Sequence, residues 1–218
     1  MVEVQDYGTY YLNSTIITIV SMVIIALLSS FSGYALARFE FPGKRLAFVM
    51  NIGLLVIPME ITLVSTFTLL YKYGLLDTKL GLILPYSTFL LFFSTLVMRS
   101  AFLNLPSDLE DAGLIDGCSE FRIFWSIAFP LARNSVIFVL INAFIWIWNE
   151  FVFASVIASS PASKTLPVAI AEVQRNSGWW DFGQITSAAV LTMAPVIIIF
   201  LIFQKHFMKG LMEGAVKG

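Results

Sequence analysis

Five apolar stretches separated by polar turns and two long loops organise this chain. They run over residues 15–36, 46–71, 80–98, 135–158 and 185–203. A helix needs roughly 20 apolar residues to cross a bilayer core, so each stretch is long enough to span. The pattern predicts an all-α, polytopic membrane protein with about five transmembrane helices, forming one domain over 1–218. Pro58 and Pro195 fall inside spans. Membrane helices accept proline where neighbours satisfy the freed carbonyls. Ser29, Gly33 and Ala37 recur every fourth residue, which puts small side chains on one face for close helix packing.

The loops between spans carry unequal positive charge. One set holds Arg38, Lys44, Arg45, Arg99, Arg122, Arg133, Lys205, Lys209 and Lys217; the opposite set holds Lys72, Lys79, Lys164 and Arg175. Nine cations against four place the first set in the cytoplasm, with the N-terminus outside and the C-terminus inside. Two loops are long, a cytoplasmic one over 99–134 and an outer one over 158–184. Structureless loops of that length are uncommon, so both are expected to carry structure or function.

Composition narrows the classes. Of 218 residues 58% are apolar and 12% charged, about half the ~25% typical of soluble domains. Mean hydropathy is +0.86. A disordered chain, a nucleic-acid binder and an ordinary soluble enzyme are excluded. Net charge is −1, too small to steer an ionic partner. Cys118 is the one cysteine and His206 the one histidine, so neither an internal disulfide nor a His-based metal cluster forms within the chain. A phosphate-binding GxxxxGK[ST] loop is absent: Gly43-Lys44 lacks the upstream glycine and precedes Arg45. No nucleophile, base or metal set appears, so no catalytic residue or cofactor is expected in this chain.

The cytoplasmic loop contains LPSDLEDAGLIDG over 105–117. Pro106 stops the preceding helix. Ser107 and Glu110 have the S-x-x-E spacing of a capping box, Asp108 sits in the first turn, and Gly117 is a natural C-terminal stop. A helix of about ten residues results, too short to span. A second helix starts from Ser119 and Glu120 into FRIFWSIAFP. Ala112 and Gly113 give the first helix a flat patch bounded by carboxylates, suited to docking on another protein; the alternative is a capped surface helix that binds nothing.

This loop resembles the EAA loop of ABC importer permeases, whose pattern is E-A-A, three residues, Gly, nine residues, Ile, one residue, Leu-Pro. Asp111-Ala112-Gly113 takes the E-A-A place, followed at the same spacing by Gly117, Ile127 and Phe129-Pro130. Asp replaces Glu, Gly the second Ala, and Phe the Leu. SGYALARFEFPGKR (32–45), YGLLDTKLGLILPY (73–86), Trp148-Asn149-Glu150-Phe151, Thr165-Leu166-Pro167-Val168 and the ending GLMEGAVKG resemble the carbohydrate-uptake branch, the maltose and glycerol-phosphate type. The resemblance covers about residues 12–218. It implies that Asp111, Ala112, Gly113, Gly117, Ile127 and Pro130 form a helix pair fitting a groove on an ATP-hydrolysing subunit. It implies a dimer of such ATPases holding ATP and Mg, a second, related permease chain, and an extracytoplasmic sugar-binding protein that the outer loop 158–184 reaches. It also implies that the tail 210–218 lies against the ATPases, and that family members carry one more helix ahead of this chain's start.

Ionisable groups inside spans are costly and usually functional. Asn142, Trp146, Asn149 and Glu150 share one helical face, a reasonable sugar surface of ring, amide and carboxylate; equally, the face packs against another helix with Asn149 and Glu150 bonded internally. Glu60, two residues after Pro58, either bonds substrate or holds the bend. Trp179, Trp180 and Asp181 read as an interfacial belt or as a contact with the binding protein. A stand-alone carrier would show an internal repeat and clustered intramembrane charges. No repeat is found and only two carboxylates qualify, which favours the importer subunit over a carrier or channel; a non-transporting truncated remnant stays as the alternative.

Overall fold

The computed structural model describes residues 7–176 together with 183, 186, 190, 192–199 and 201–202. Trp179, Trp180, Asp181, His206 and the tail 210–218 lie outside the described residues, as does part of the 158–184 loop and of the 185–203 stretch. All regular structure among the described residues is helical. The helices are α1 (Tyr7–Arg38), α2 (Lys44–Leu55), α3 (Leu63–Lys72), α4 (Lys79–Leu103), α5 (Asp108–Ile115), α6 (Glu120–Ile123), α7 (Phe129–Leu131), α8 (Arg133–Asn149), α9 (Val152–Ile157) and α10 (Leu166–Asn176). The backbone at 192–199 is also helical.

α1 and α4 are each long and apolar enough to cross a membrane. The 46–71 stretch is not one continuous helix: α2 ends at Leu55, and helical structure resumes only after Pro58. Pro58 is the physical cause. It lacks an N–H and disfavours helical backbone at the residue before it. Pro58 itself is extended (φ −62°, ψ 140°), and a single 3-10 turn, Met59–Thr62, restarts the chain. The 135–158 stretch is interrupted as well. α8 ends at Asn149, and α9 begins after a break at Glu150 and Phe151.

The chain forms two compact units. In the first (Met1–Met22, Pro58–Ser87, Ala143–Gln204), Tyr10, Phe144, Trp148, Leu166 and Ala169 are buried together, with Tyr7, Met22, Ile170, Val196 and Ile199 packed on them. Trp148 stacks on Phe144 at 5.6 Å, meets Tyr11 edge-on at 5.4 Å, and donates its indole N–H to the Thr192 carbonyl at 3.0 Å. A buried indole needs that acceptor.

In the second unit (Val23–Ile57, Thr88–Asn142, Lys205–Gly218), the small-residue face of α1 allows the close approach its spacing predicts. A Cβ on Gly33 would lie 2.7 Å from the Arg99 nitrogen and from Met98 Cβ, so only glycine fits there. Tyr34, Phe102 and Phe124 pack edge to face below this crossing, with Phe31 stacked on Phe124 at 4.9 Å. The Arg99 guanidinium sits 4.2 Å from the Phe48 ring centre, a cation–π contact. α2 buries no residue, and Leu46, Val49 and Met50 are more than half exposed, as expected of a helix whose solvent is lipid.

Candidate coupling site

The segment from Asp108 to Leu131 is built from short elements that each answer a local signal. α5 starts after Pro106 and carries Asp108, Glu110 and Asp111 in its first turn, where the helix dipole favours anions. The expected capping box does not form. Ser107 has helical backbone (φ −62°, ψ −32°) and makes no side-chain cap bond. Glu110 is drawn elsewhere, as described below.

Gly117 ends the helix as expected. It sits at φ +79°, a left-handed conformation that side-chain-bearing residues disfavour. Its N–H donates to the Leu114 carbonyl at 3.0 Å and that of Cys118 to the Gly113 carbonyl at 2.9 Å, which satisfies the last turn. Ser119 then caps α6, its Oγ accepting from the Arg122 N–H at 3.4 Å. One π turn, Phe124–Ala128, follows and buries Phe124 and Ala128. Pro130 lies in the short α7, which continues directly from the π turn.

Gly113 is not part of the exposed patch that the sequence suggests. It is buried, and a Cβ there would come within 3.1 Å of Ile127 Cδ1 and 3.2 Å of Ile123 Cγ1. Gly113 and Ile127 therefore form the packed underside of α5. The exposed residues of the segment are Asp108, Leu109, Asp111, Ala112, Leu114, Ile115 and Asp116, with Ile115 86% exposed. An α-helix repeats its faces every three to four residues, so Glu110 shares the inward side with Gly113.

Glu110 meets the end of α1. Its Oε1 accepts from Arg38 Nε at 2.9 Å, and its Oε2 lies 3.4 Å from the Tyr34 hydroxyl. Arg38 Nη2 donates to the Leu105 carbonyl at 2.8 Å. The two charged side chains are 17% and 13% exposed. Nothing local in the sequence couples Arg38 to Glu110, 72 residues away.

The polar residues of the apolar stretches separate into different roles. Glu150 lies beyond the end of α8, so the four residues do not present one continuous helical face. Its carboxylate accepts from the Phe153 N–H at 2.7 Å, the Ala154 N–H at 3.1 Å and the Tyr86 hydroxyl, and so caps α9. Asn149 donates to the Ile145 carbonyl at 2.7 Å on its own helix. Trp146 packs edge-on against Tyr86 at 5.8 Å. Asn142 is half-buried in the second unit. Glu60 is exposed in the 3-10 turn after Pro58, with no hydrogen bond or ion pair to its carboxylate among the described residues.

Three residues that sequence reasoning passed over, Asp77 and the adjacent pair Asn13 and Ser14, organise the described part of the 158–184 loop. Asp77, with φ +59°, accepts on one carboxylate oxygen from Ser159 N–H and Ser160 N–H at 2.8 Å and from Ser163 Oγ at 2.5 Å. Partial burial alone would raise its pKa; the hydrogen bonds from Ser160, Ser163 and Ser159 outweigh that and bring the carboxyl down to about 2. Asn13 donates to the Pro161 and Lys164 carbonyls at 2.9 and 3.0 Å, and Ser14 Oγ accepts from the Leu166 N–H at 2.8 Å, capping α10. An Asp-Thr pair after Leu-Leu was the available signal for the first; asparagine and serine near a span's start were the signal for the second.

The sequence matches the family described as binding-protein-dependent transport system inner membrane component over residues 26–213. The chain belongs to this family. Among curated permeases it is 36% identical over 218 residues to the arabinooligosaccharides transport system permease protein AraQ of Halalkalibacterium halodurans, covering 99% of this chain and 76% of that one. It is 35% identical to the trehalose transport system permease protein SugB of Mycobacterium tuberculosis, covering 97% and 78%. The diacetylchitobiose uptake system permease protein NgcG of Streptomyces coelicolor is 33% identical, with 96% and 70% covered. Among solved structures, a bacterial ABC transporter involved in alginate import superposes with a TM-score of 0.79 at 20% identity, over 94% of this chain and 76% of that one. The methionine transporter MetNI superposes at 0.68 with 15% identity, over 88% and 90%. These two likenesses show the fold: the helical architecture is that of an ABC importer permease. As a permease, the chain is a membrane protein of an import system and not itself catalytic.

Proposed function

We propose that this permease takes up carbohydrate, together with a second permease chain, and couples to separate ATPase subunits through the outward face of α5. The observation that carries the coupling is the division of that helix. Glu110 and Gly113 hold it from within, while Asp111, Ala112, Leu114 and Ile115 are left exposed on a segment fixed at both ends by Pro106 and Gly117. A short, pinned, half-apolar and half-acidic helix loses little conformational entropy on docking. ATP and Mg then act on the partner ATPase dimer, and this chain contributes no catalytic group. The relatives named for arabinooligosaccharides, trehalose and diacetylchitobiose support a sugar or oligosaccharide as cargo delivered by an extracytoplasmic binding protein.

In this reading Gly117, Ile127 and Pro130 shape the docking segment, and Gly113 sets its underside. Glu60 and Asn142 remain the candidate residues of the substrate path with Trp146, whereas Asn149 and Glu150 act on the local backbone. The excess of loop cations supports a cytoplasmic side for α5 and the C-terminus. Pull-down of the chain from its native membrane in mild detergent tests the assembly. Recovery of an ATPase, a second permease and a sugar-binding protein is expected; recovery of the chain alone, where other complexes survive, would sink the proposal.

A further inference from the structure

The proposed docking helix has to hand its movement to a membrane-crossing element, and within its own segment α5 is bounded by turns and packed only on the short elements that follow it. We infer that Arg38 and Glu110 are the positioning residues that lock the docking helix α5 to the cytoplasmic end of α1, making that part of α1 and α5 one mechanical body. The inference rests on the docking role of α5 and goes beyond it by naming the receiving helix and the latch.

The geometry is that of a clamp. Arg38, the last residue of α1, uses two different nitrogens: Nε binds the Glu110 carboxylate at 2.9 Å, and Nη2 binds the Leu105 carbonyl at 2.8 Å. The first contact holds α5 itself and the second holds the turn leading into it. A planar guanidinium fixes the angle between its donors, which a lysine ammonium does not. Tyr34, one turn earlier on α1, faces the second carboxylate oxygen of Glu110 at 3.4 Å while its ring packs on Phe102 and Phe124. Both charges are largely withdrawn from water, so the pair is poorly screened and neither partner is readily released alone. Arg99 contacts the Leu36 carbonyl at 3.4 Å and the Phe48 ring, so the same end of α1 is also held from α4. α5 is thereby gripped from a helix distant in sequence.

The test uses the assembled transporter in nanodiscs, with cysteine-free partner subunits. Spin labels are placed on the native Cys118, just past α5, and on a cysteine replacing the exposed Leu28 of α1. Distances are measured by pulsed EPR without nucleotide and after trapping with MgATP and vanadate. The unsubstituted latch should give one narrow distribution, the same in both states. Arg38→Gln should broaden it about twofold, as α5 samples a second arrangement. The charge exchange Arg38→Glu with Glu110→Arg should narrow it again, a rescue that general loss of packing would not produce. Glu110→Gln, which spares the bond to Leu105, replaces Arg38→Gln if the latter does not assemble. Equal widths in the parent and the single variants, or a parent distance that changes on trapping, would overturn the latch. Loss of ATPase subunits from the parent complex would instead strike the docking proposal, and the nucleotide-free widths would still judge the latch.

Discussion

The segment 105–131 and the loop 157–165 are fastened by opposite chemistry. The first is held by a desolvated ion pair, Arg38 with Glu110, at the end of a long helix. The second is held by one carboxylate among neutral donors, Asp77 with Ser159, Ser160 and Ser163, and by the Asn13 amide. An ion pair in a partly dry setting is strong only while both members are present. A carboxylate held by several neutral donors degrades stepwise as donors are removed, since each charge-assisted bond is worth about 1.5–3 kcal/mol. The first fastening therefore suits a part that must move as a unit, and the second suits a part that must keep its shape.

The sharpest way to break the contrast is at Gly117. Proline there cannot adopt φ +79° and removes the N–H bonded to Leu114, a loss of about 3 kcal/mol or more. Gly117→Pro should insert normally but lose ATPase co-purification; normal co-purification would refute the docking segment. Glu110→Ala strands Arg38 and should cost about 3–5 kcal/mol, seen as a lowered unfolding midpoint in detergent. A shift smaller than that of Asp77→Asn would reverse the ranking of the two fastenings.

Asp77→Asn should cost about 1–3 kcal/mol. It also carries a pH signature. The folded carboxyl titrates near 2, below its ordinary 3.8, so its stabilisation is complete above about 4 and is lost as pH falls toward 2. The Asp77→Asn variant, with no carboxyl to titrate, should show a flatter stability profile over that range; an unchanged slope would remove Asp77 from the account. Glu150→Gln should lower stability by about 1–2 kcal/mol through the α9 cap while leaving transport per assembled complex unchanged. Altered turnover would return Glu150 to the substrate path. The smallest effect belongs to Gly113→Ala. Its helix-propensity gain of about 1 kcal/mol is opposed by the 3.1 Å approach to Ile127, so the unfolding midpoint should barely move.

What was readable in the sequence was what depends on neighbours along the chain. The Gly117 stop, the Ser119 cap and the small-residue face around Gly33 all follow from local backbone rules, whereas Pro58, expected as a bend within one span, ends the helix outright. The capping box failed because Ser107 and Glu110 satisfy a local pattern while a cation 72 residues away competes for the same carboxylate. The shared face of Asn142, Trp146, Asn149 and Glu150 presumed an unbroken helix; the chain turns after Asn149, and Glu150 serves the next helix. Gly113 looked like an outward patch because identity alone does not tell which side of a short helix meets Ile123 and Ile127. Asp77 and Asn13 were hidden since their partners lie about 82 to 151 positions onward.

The fastening of Asn13 and Ser14 also sets a timetable for biogenesis. Ser14 waits for the Leu166 amide, 152 positions later. At the roughly 5–20 residues per second of translation, that is about 8–30 s during which the start of α1 holds two polar side chains without their final acceptors and donors. The insertion machinery, or water at the membrane face, must host them over that interval. A nascent chain halted before residue 166 would leave Ser14 without the Leu166 amide that it caps in the finished fold.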